Sequence, residues 1–355
     1  MPRYRNVVVF GDSLSDIGKM ASSGLGKVVK AFGALTVSPT GRFSDCRNWT
    51  DHMFEAATGD SLVKGDAKTS VAASKAHQTF GGGSRWGATG NDKWFRYANY
   101  AVGGATGGIP YSLGKRIALT TMKEEVQAFR SDHAKVQSSG EPFLFFVWFG
   151  ANDLYTAGAP ASLMGDVAEK IAKKRRAEIA AIVGALNARF VYVNLGLPLS
   201  AARYQLIYDR RSQKNQLKLT KQRLAGVKEE DLKIKKKFYE TKKEINNFES
   251  GAMLFNSTLR DLCGKNGDVY VDMASVVSRE SISAMINQLG LVDGVQAKGS
   301  SDSFISPIAY DSIQAPMQVS TSDEAHPTDR VYKHMWDTIK GVLQVNSITF
   351  GKLPG

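Results

Sequence analysis

Residues 143–153 read Phe-Leu-Phe-Phe-Val-Trp-Phe-Gly-Ala-Asn-Asp: seven apolar side chains without a break, then a glycine and a polar turn. A run this short and this continuous reads as a strand buried on both faces. Four weaker runs resemble it. Val7-Val8-Val9-Phe10 stops at Gly11, and residues 96–101 lead into a glycine-rich turn. Residues 189–194 and 268–272 supply Arg-Phe-Val-Tyr-Val-Asn and Asp-Val-Tyr-Val-Asp. Helical patterns lie between them, clearest over 161–186. Strands that alternate with helices predict an α/β fold, a parallel sheet of five strands covered on both faces. In such sheets the working site lies at the carboxyl ends of the strands.

The rest of the chain bounds the answer. Its 355 residues are 43% hydrophobic and 23% charged, which excludes a disordered protein and suits one domain over 1–355. Two cysteines, Cys46 and Cys263, exclude a disulfide framework and a four-cysteine zinc site. No stretch of ~18 apolar residues predicts a transmembrane helix. Met1 to Arg5 runs straight into the first strand, so no signal peptide is expected. That favours a cytoplasmic protein, or an effector exported by a leaderless route. Residues 56–92 and 293–323 read as long irregular loops of the binding or lid type.

The net charge is +12, and it is uneven. Residues 210–249 hold 13 Lys/Arg against 6 Asp/Glu, a net charge of +7. Leu217, Leu224, Val227, Ile234, Phe238, Ile245 and Phe248 fall on heptad positions there. This basic amphipathic segment looks like an insertion: one long helix, or a hairpin turning near Gly226. It either packs a stripe on the domain or forms an arm that meets an anionic membrane surface or a partner. No nucleic acid partner is expected.

Chemistry is carried by residues at strand ends. Gly11-Asp12-Ser13 places a serine on a tight strand-to-helix turn, its hydroxyl exposed. Asp323 stands three residues before His326, close enough to hold the imidazole tautomer while the other ring nitrogen takes a proton. An oxyanion needs donors. The backbone N–H of Gly104 (or Gly103), the Asn152 side chain and the Ser13 N–H are candidates. Asp12, Asp16 and Asp153 read as local turn supports. His52, His77, His133 and His334 read as surface or packing residues, so no metal site and no cofactor are expected. Gly103 to Gly108 lacks the Lys-Ser/Thr ending of a phosphate loop. Trp86 and Trp94 are candidates for the lining of an acyl groove.

These motifs resemble the GDSL, or SGNH, family of serine esterases and lipases. Ser13 in Phe-Gly-Asp-Ser-Leu-Ser-Asp-Ile-Gly, Gly104 in Asn-Tyr-Ala-Val-Gly-Gly-Ala-Thr, Asn152 in Phe-Gly-Ala-Asn-Asp-Leu, and Asp323 with His326 before Pro327-Thr328 match its four blocks in order. Gly41-Arg42-Phe43-Ser44 and Trp49 also resemble a family segment. The pattern is similar to the bacterial phospholipase and glycerophospholipid–cholesterol acyltransferase branch. The resemblance implies a three-layer, flavodoxin-like fold and acyl transfer through an acyl-enzyme on Ser13. Water as acceptor gives a lipase or phospholipase, and an acceptor alcohol such as a sterol gives an acyltransferase. An acetyl esterase on carbohydrate and a non-catalytic binding protein are the remaining readings.

Overall fold

The structure, a computed structural model, describes residues 3–23, 37, 41–44, 46–59, 61–63, 85–88, 92–110, 119–134, 141–197, 202–277 and 326–353. Its strands are β1 (Arg3–Tyr4), β2 (Asn6–Gly11), β3 (Arg85–Ala88), β4 (Asp92–Asn99), β5 (Phe143–Trp148), β6 (Ala188–Val193), β7 (Val269–Val271) and β8 (Thr349–Phe350). The main sheet has the order β3-β4-β2-β5-β6-β7. From β4 to β7 every pairing is parallel, so the five expected strands form one parallel sheet. Its first strand pairs with both the second and the third, the flavodoxin-like order. β3 adds an antiparallel edge within a region expected to be irregular. β1 pairs with β8 apart from this sheet.

Side-chain alternation divides the sheet's two faces. Val7 and Val9 join Leu144, Phe146 and Trp148 on one face, where α2 (Trp49–Thr58) and a C-terminal helix supply Trp49, Met53, Tyr332 and Trp336. Val8 and Phe10 join Phe143, Phe145 and Val147 on the other. That face is covered by α3 (Met122–His133), by the stretch 161–187 and by a long helix through Phe255. A four-residue helix, α1 (Lys19–Ser22), follows the turn after β2.

The stretch 161–186, expected from its helical pattern, is helical but uneven. It comprises α4 (Met164–Glu169), a π-helical turn at Lys170–Arg175 and α5 (Arg176–Val183). The basic segment folds as a hairpin of α6 (Ala202–Leu224) and α7 (Lys236–Asn266), reversing at Gly226, whose φ is 75°. A short α8 (Met273–Val276) follows β7, and α9 (Asp329–Val345) closes the C-terminal part. No helix among the described residues is long and apolar enough to cross a membrane.

Helix α7 is fixed to the sheet by Asn256. Its Oδ1 accepts the Leu195 N–H at 2.9 Å, and its Nδ2 donates to the Leu195 carbonyl at 2.8 Å. Both backbone groups are past the end of β6, where no strand neighbour serves them. Asn256→Ala leaves two buried groups without partners and is expected to lower unfolding stability by about 2 kcal/mol, read from urea denaturation. An unchanged midpoint would mean that water replaces both bonds.

Candidate active site

Three strands of the sheet end side by side. Gly11 of β2 lies opposite Trp148 of β5, and Val9 lies opposite Asn99 of β4. The turns that leave these ends therefore meet. The turn after β2 is tight: Ser15 N–H donates to the Asp12 carbonyl at 3.0 Å. A Cβ on Gly11 would lie 2.9 Å from Ser15 Cβ and Oγ, so no side chain fits there. Side chains from neighbouring elements hold the turn. Trp49 Nε1 donates to Ser15 Oγ at 3.1 Å, Asn99 Nδ2 to the Ser15 carbonyl at 2.9 Å, and Asn48 Nδ2 to the Asp16 carbonyl at 3.0 Å. Asn48 also caps α2 in a capping box with Asp51.

On this turn Ser13 Oγ lies 2.7 Å from His326 Nε2. The two residues are 313 positions apart in sequence. That distance is a hydrogen bond between a hydroxyl and an imidazole nitrogen. Asp323, the expected partner of the other ring nitrogen, lies outside the described residues.

The glycine-rich turn after β4 is stapled to both of its neighbours by carboxylates. Asp16 accepts N–H bonds from Gly18 at 2.8 Å, Lys19 at 2.6 Å, Met20 at 3.0 Å and Gly103 at 2.7 Å. Asp153 accepts from Gly107 at 2.7 Å, Gly108 at 2.8 Å and Ile109 at 2.7 Å. The Gly103 N–H is thus committed to Asp16. Gly104 sits at φ +81°, a left-handed conformation that favours glycine. Asn152 Nδ2 donates to the Ala105 carbonyl at 3.2 Å, while its Oδ1 accepts from Thr156 Oγ1 at 2.9 Å. Those two bonds fix which way the amide points. Ser13, His326, Gly104 and Asn152 therefore come to one end of the sheet.

Several supports carried no role at the level of sequence. Arg42 and Asp51 form a bidentate pair with no exposure on either side chain, at 3.0 and 2.6 Å. The pair ties Gly41-Arg42-Phe43-Ser44 to α2. The Phe43 ring centroid lies 4.9 Å from that of His326. A Cβ on Gly103 would come within 2.4 Å of the same phenyl ring. Tyr332 Oη, one turn into α9, donates to the Phe43 carbonyl at 3.2 Å. His52, expected as a surface or packing residue, lies 2.7 Å through Nε2 from Asp329 Oδ1, three residues after His326. Arg47 lies 3.7 Å from Asp329 Oδ2. Trp86 and Trp94 sit on the paired strands β3 and β4, and their side chains fall outside the described residues.

Glu125 was also missed, although a signal for it exists. Met122, Glu125, Val126 and Phe129 share one helical stripe, all buried, so a carboxylate stands on an apolar face. Its Oε2 accepts the Gly11 N–H at 3.1 Å, and its Oε1 has no hydrogen-bond partner among the described residues. Burial raises the Glu125 carboxyl well above its ordinary value, Lys19 opposes this, and Asp12 and Asp16 add to it. Burial likewise raises Asp16 and Asp153, opposed by the N–H groups that each accepts. Among the described residues no group of His, Cys, Asp and Glu could hold a metal ion.

Asp12 supports the turn as expected, accepting the Leu14 N–H at 3.1 Å. Burial pushes its carboxyl up to about 7; the Leu14 N–H and His326 pull it down, and Asp153 pushes it up. Between the ordinary carboxylate value and about 7, the folded chain keeps a proton that the unfolded chain has released. Stability therefore falls as pH rises through that window. Asp12→Asn removes this share. Its urea stability relative to the parent is expected to improve on the order of 2 kcal/mol from about pH 5 to about pH 8. A difference constant in pH would show that Asp12 is ionised throughout. Arg42→Met strands the buried Asp51 charge and is expected to cost about 3–5 kcal/mol by the same measurement.

Residues 7–339 match the family model of the GDSL-like lipase/acylhydrolases. The chain belongs to that family, whose members act on ester bonds. Solved structures similar to it include phospholipase A1 from Streptomyces albidoflavus NA297. That likeness has 12% identity and a TM-score of 0.36, over 96% of this chain and 99% of that one. An extracellular lipase from Streptomyces rimosus aligns at 12% identity and a TM-score of 0.34, over 95% of this chain and 99% of that one. No curated protein sequence matches.

Proposed function

We propose that this member of the GDSL-like lipase/acylhydrolase family is a serine-dependent carboxylic ester hydrolase of the lipase or phospholipase type. The observation that carries the reading is the 2.7 Å contact between Ser13 Oγ and His326 Nε2 at the carboxyl end of β2. His326 Nε2 takes the Ser13 hydroxyl proton as Oγ bonds to the ester carbonyl carbon. The carbonyl π electrons move to oxygen, and the oxyanion is received by the N–H groups of Ser13 and Gly104 and by Asn152 Nδ2. Gly104 is preferred to Gly103 because the Gly103 N–H already serves Asp16. The tetrahedral species collapses, the C–O bond to the leaving alcohol breaks, and the alcohol takes the proton from His326. Water then attacks the acyl-enzyme by the same route in reverse and restores Ser13. Asp323 is assigned the remaining nitrogen of His326, stabilising the imidazolium.

The substrate is read as a lipid ester, offered at an anionic membrane surface to which the basic segment 210–249 is suited. An acyltransferase shares every step up to the acyl-enzyme, and only the acceptor differs.

Fatty acid release from phospholipid vesicles, with and without cholesterol, tests the reading. Activity is expected for the parent and none above background for Ser13→Ala. Asn152→Ala is expected to lower kcat by ~100-fold or more with little change in KM. A covalent acyl adduct on Ser13, seen by mass spectrometry after acid quench, is the direct signature. Sterol ester as the main product would move the reading to a transferase. Full activity in Ser13→Ala would overturn it.

A further inference from the structure

The basic hairpin stands at the same end of the sheet as Ser13. Helix α7 enters β7 through Gly267, at φ 67°, so it runs opposite to the parallel strands. Its C-terminal end therefore lies at their amino ends, and its N-terminal end at their carboxyl ends. Contacts along α7 agree. A Cβ on Gly150, just past β5, would meet the Phe255 ring at 3.0 Å. Asn256 holds Leu195, past β6. Gly251 packs on Leu154, and Asn247 Oδ1 accepts the Ala161 N–H at 3.0 Å. The Phe248 and Tyr155 rings meet at 4.9 Å. All these partners lie beyond the carboxyl ends of the strands. Residues 236–246 continue past them for about 16 Å at the helical rise.

The hairpin is built as one unit. Asn215 Oδ1 accepts the Lys235 N–H at 2.7 Å, Gln222 bonds both Lys233 backbone groups, and the Arg211 guanidinium donates to Thr241 Oγ1. Tyr208 and Phe238 rings meet at 5.8 Å. Apolar residues of the heptad pattern that these contacts leave uncovered stand exposed among lysines. On α6, Lys214, Leu217, Lys221 and Leu224 follow one another at three- and four-residue steps along one face, all exposed. Leu217 is 57% exposed and Leu224 is 84% exposed. On α7, Lys236, Tyr239 and Lys243 repeat that pattern, with Tyr239 62% exposed. Ile234, between the helices, is 52% exposed.

From this arrangement we infer that the hairpin is an interfacial anchor for an anionic lipid surface, and that docking turns the Ser13 end of the sheet toward that surface. The charge selects the occupant: thirteen basic residues against six acidic ones over 210–249 attract phosphoanionic headgroups. The leucines and the tyrosine interleaved with lysines suit the boundary between headgroups and acyl chains. A nucleic acid would use the lysines and leave the leucines idle. The orientation part rests on the ester hydrolase reading; the binding part does not.

Sedimentation with vesicles of phosphatidylcholine, alone or with about 30% phosphatidylserine, reads binding without catalysis. The full chain is expected to bind the mixed vesicles, Ser13→Ala equally well, and neither to bind phosphatidylcholine alone. Lys214→Glu/Lys221→Glu/Lys243→Glu is expected to weaken mixed-vesicle binding at least ~10-fold, and Leu217→Ser/Leu224→Ser to weaken it by several fold. Both variants should keep the parent rate on a water-soluble short-chain ester while losing rate on vesicles. Circular dichroism and melting temperature equal to the parent's would show that they fold. Parent binding that is indifferent to phosphatidylserine, or unchanged in the charge-reversed variant, overturns the anchor. So does binding to duplex DNA in preference to vesicles. Vesicle binding without any ester hydrolysis overturns the catalytic reading and leaves the anchor standing.

Discussion

The loops that leave β2 and β4 carry buried and half-buried backbone N–H groups that no strand ladder serves. Two carboxylates receive them. Asp16 gathers four N–H groups from residues 18–20 and Gly103, and Asp153 gathers three from residues 107–109. Each carboxylate lies beside a residue to which the chemistry is assigned, and each holds a different stretch of the same glycine-rich loop. The alternative, buried N–H groups without acceptors, costs about 1–3 kcal/mol apiece. The relative positions of Ser13, Gly104 and Asn152 follow from these bonds. The cost is a concentration of acid: Asp12, Asp16, Glu125 and Asp153 are all buried and all shifted toward the protonated form.

His326 arrives by a separate route. The face of the sheet that carries α2 and α9 packs Trp49, Met53, Tyr332 and Trp336 together, which brings the start of α9 near β2. Closing a loop of more than 300 residues costs little more than closing a short one, because the entropy grows only with the logarithm of length. What needs specification is the angle of the ring. Phe43 lies against it, Arg42 and Asp51 hold Phe43, and His52 holds Asp329. The supports come from Gly41-Arg42-Phe43-Ser44 and α2, more than 270 residues before the histidine in the chain.

The hairpin α6–α7 shows how one helix serves two purposes. Its C-terminal half is core: Ala252, Phe255 and Leu259 are buried against the sheet. Its N-terminal part is basic and solvent-facing. The heptad residues Ile245 and Phe248 are buried, whereas Leu217, Leu224 and Ile234 from the same pattern are exposed. A period of hydrophobic residues therefore marks a helix, without saying which of its residues find a partner.

The sequence by itself determined the five parallel strands, because a continuous apolar run ending in glycine satisfies burial on both faces in hardly any other way. It also determined Ser13, Asn152 and His326 as candidates, because each stands in a short motif at a strand or helix end. It did not determine that the Gly103 N–H serves Asp16, that Glu125 reaches beneath Gly11, or that His52 meets Asp329. Nor did it determine β3, which lies in a stretch without apolar periodicity. Those facts belong to pairs of segments distant in the chain, and local periodicity carries no record of distance in space. Only the tertiary structure decided that the basic hairpin stands at the Ser13 end of the sheet, because the direction of α7 is set by the strand into which it leads.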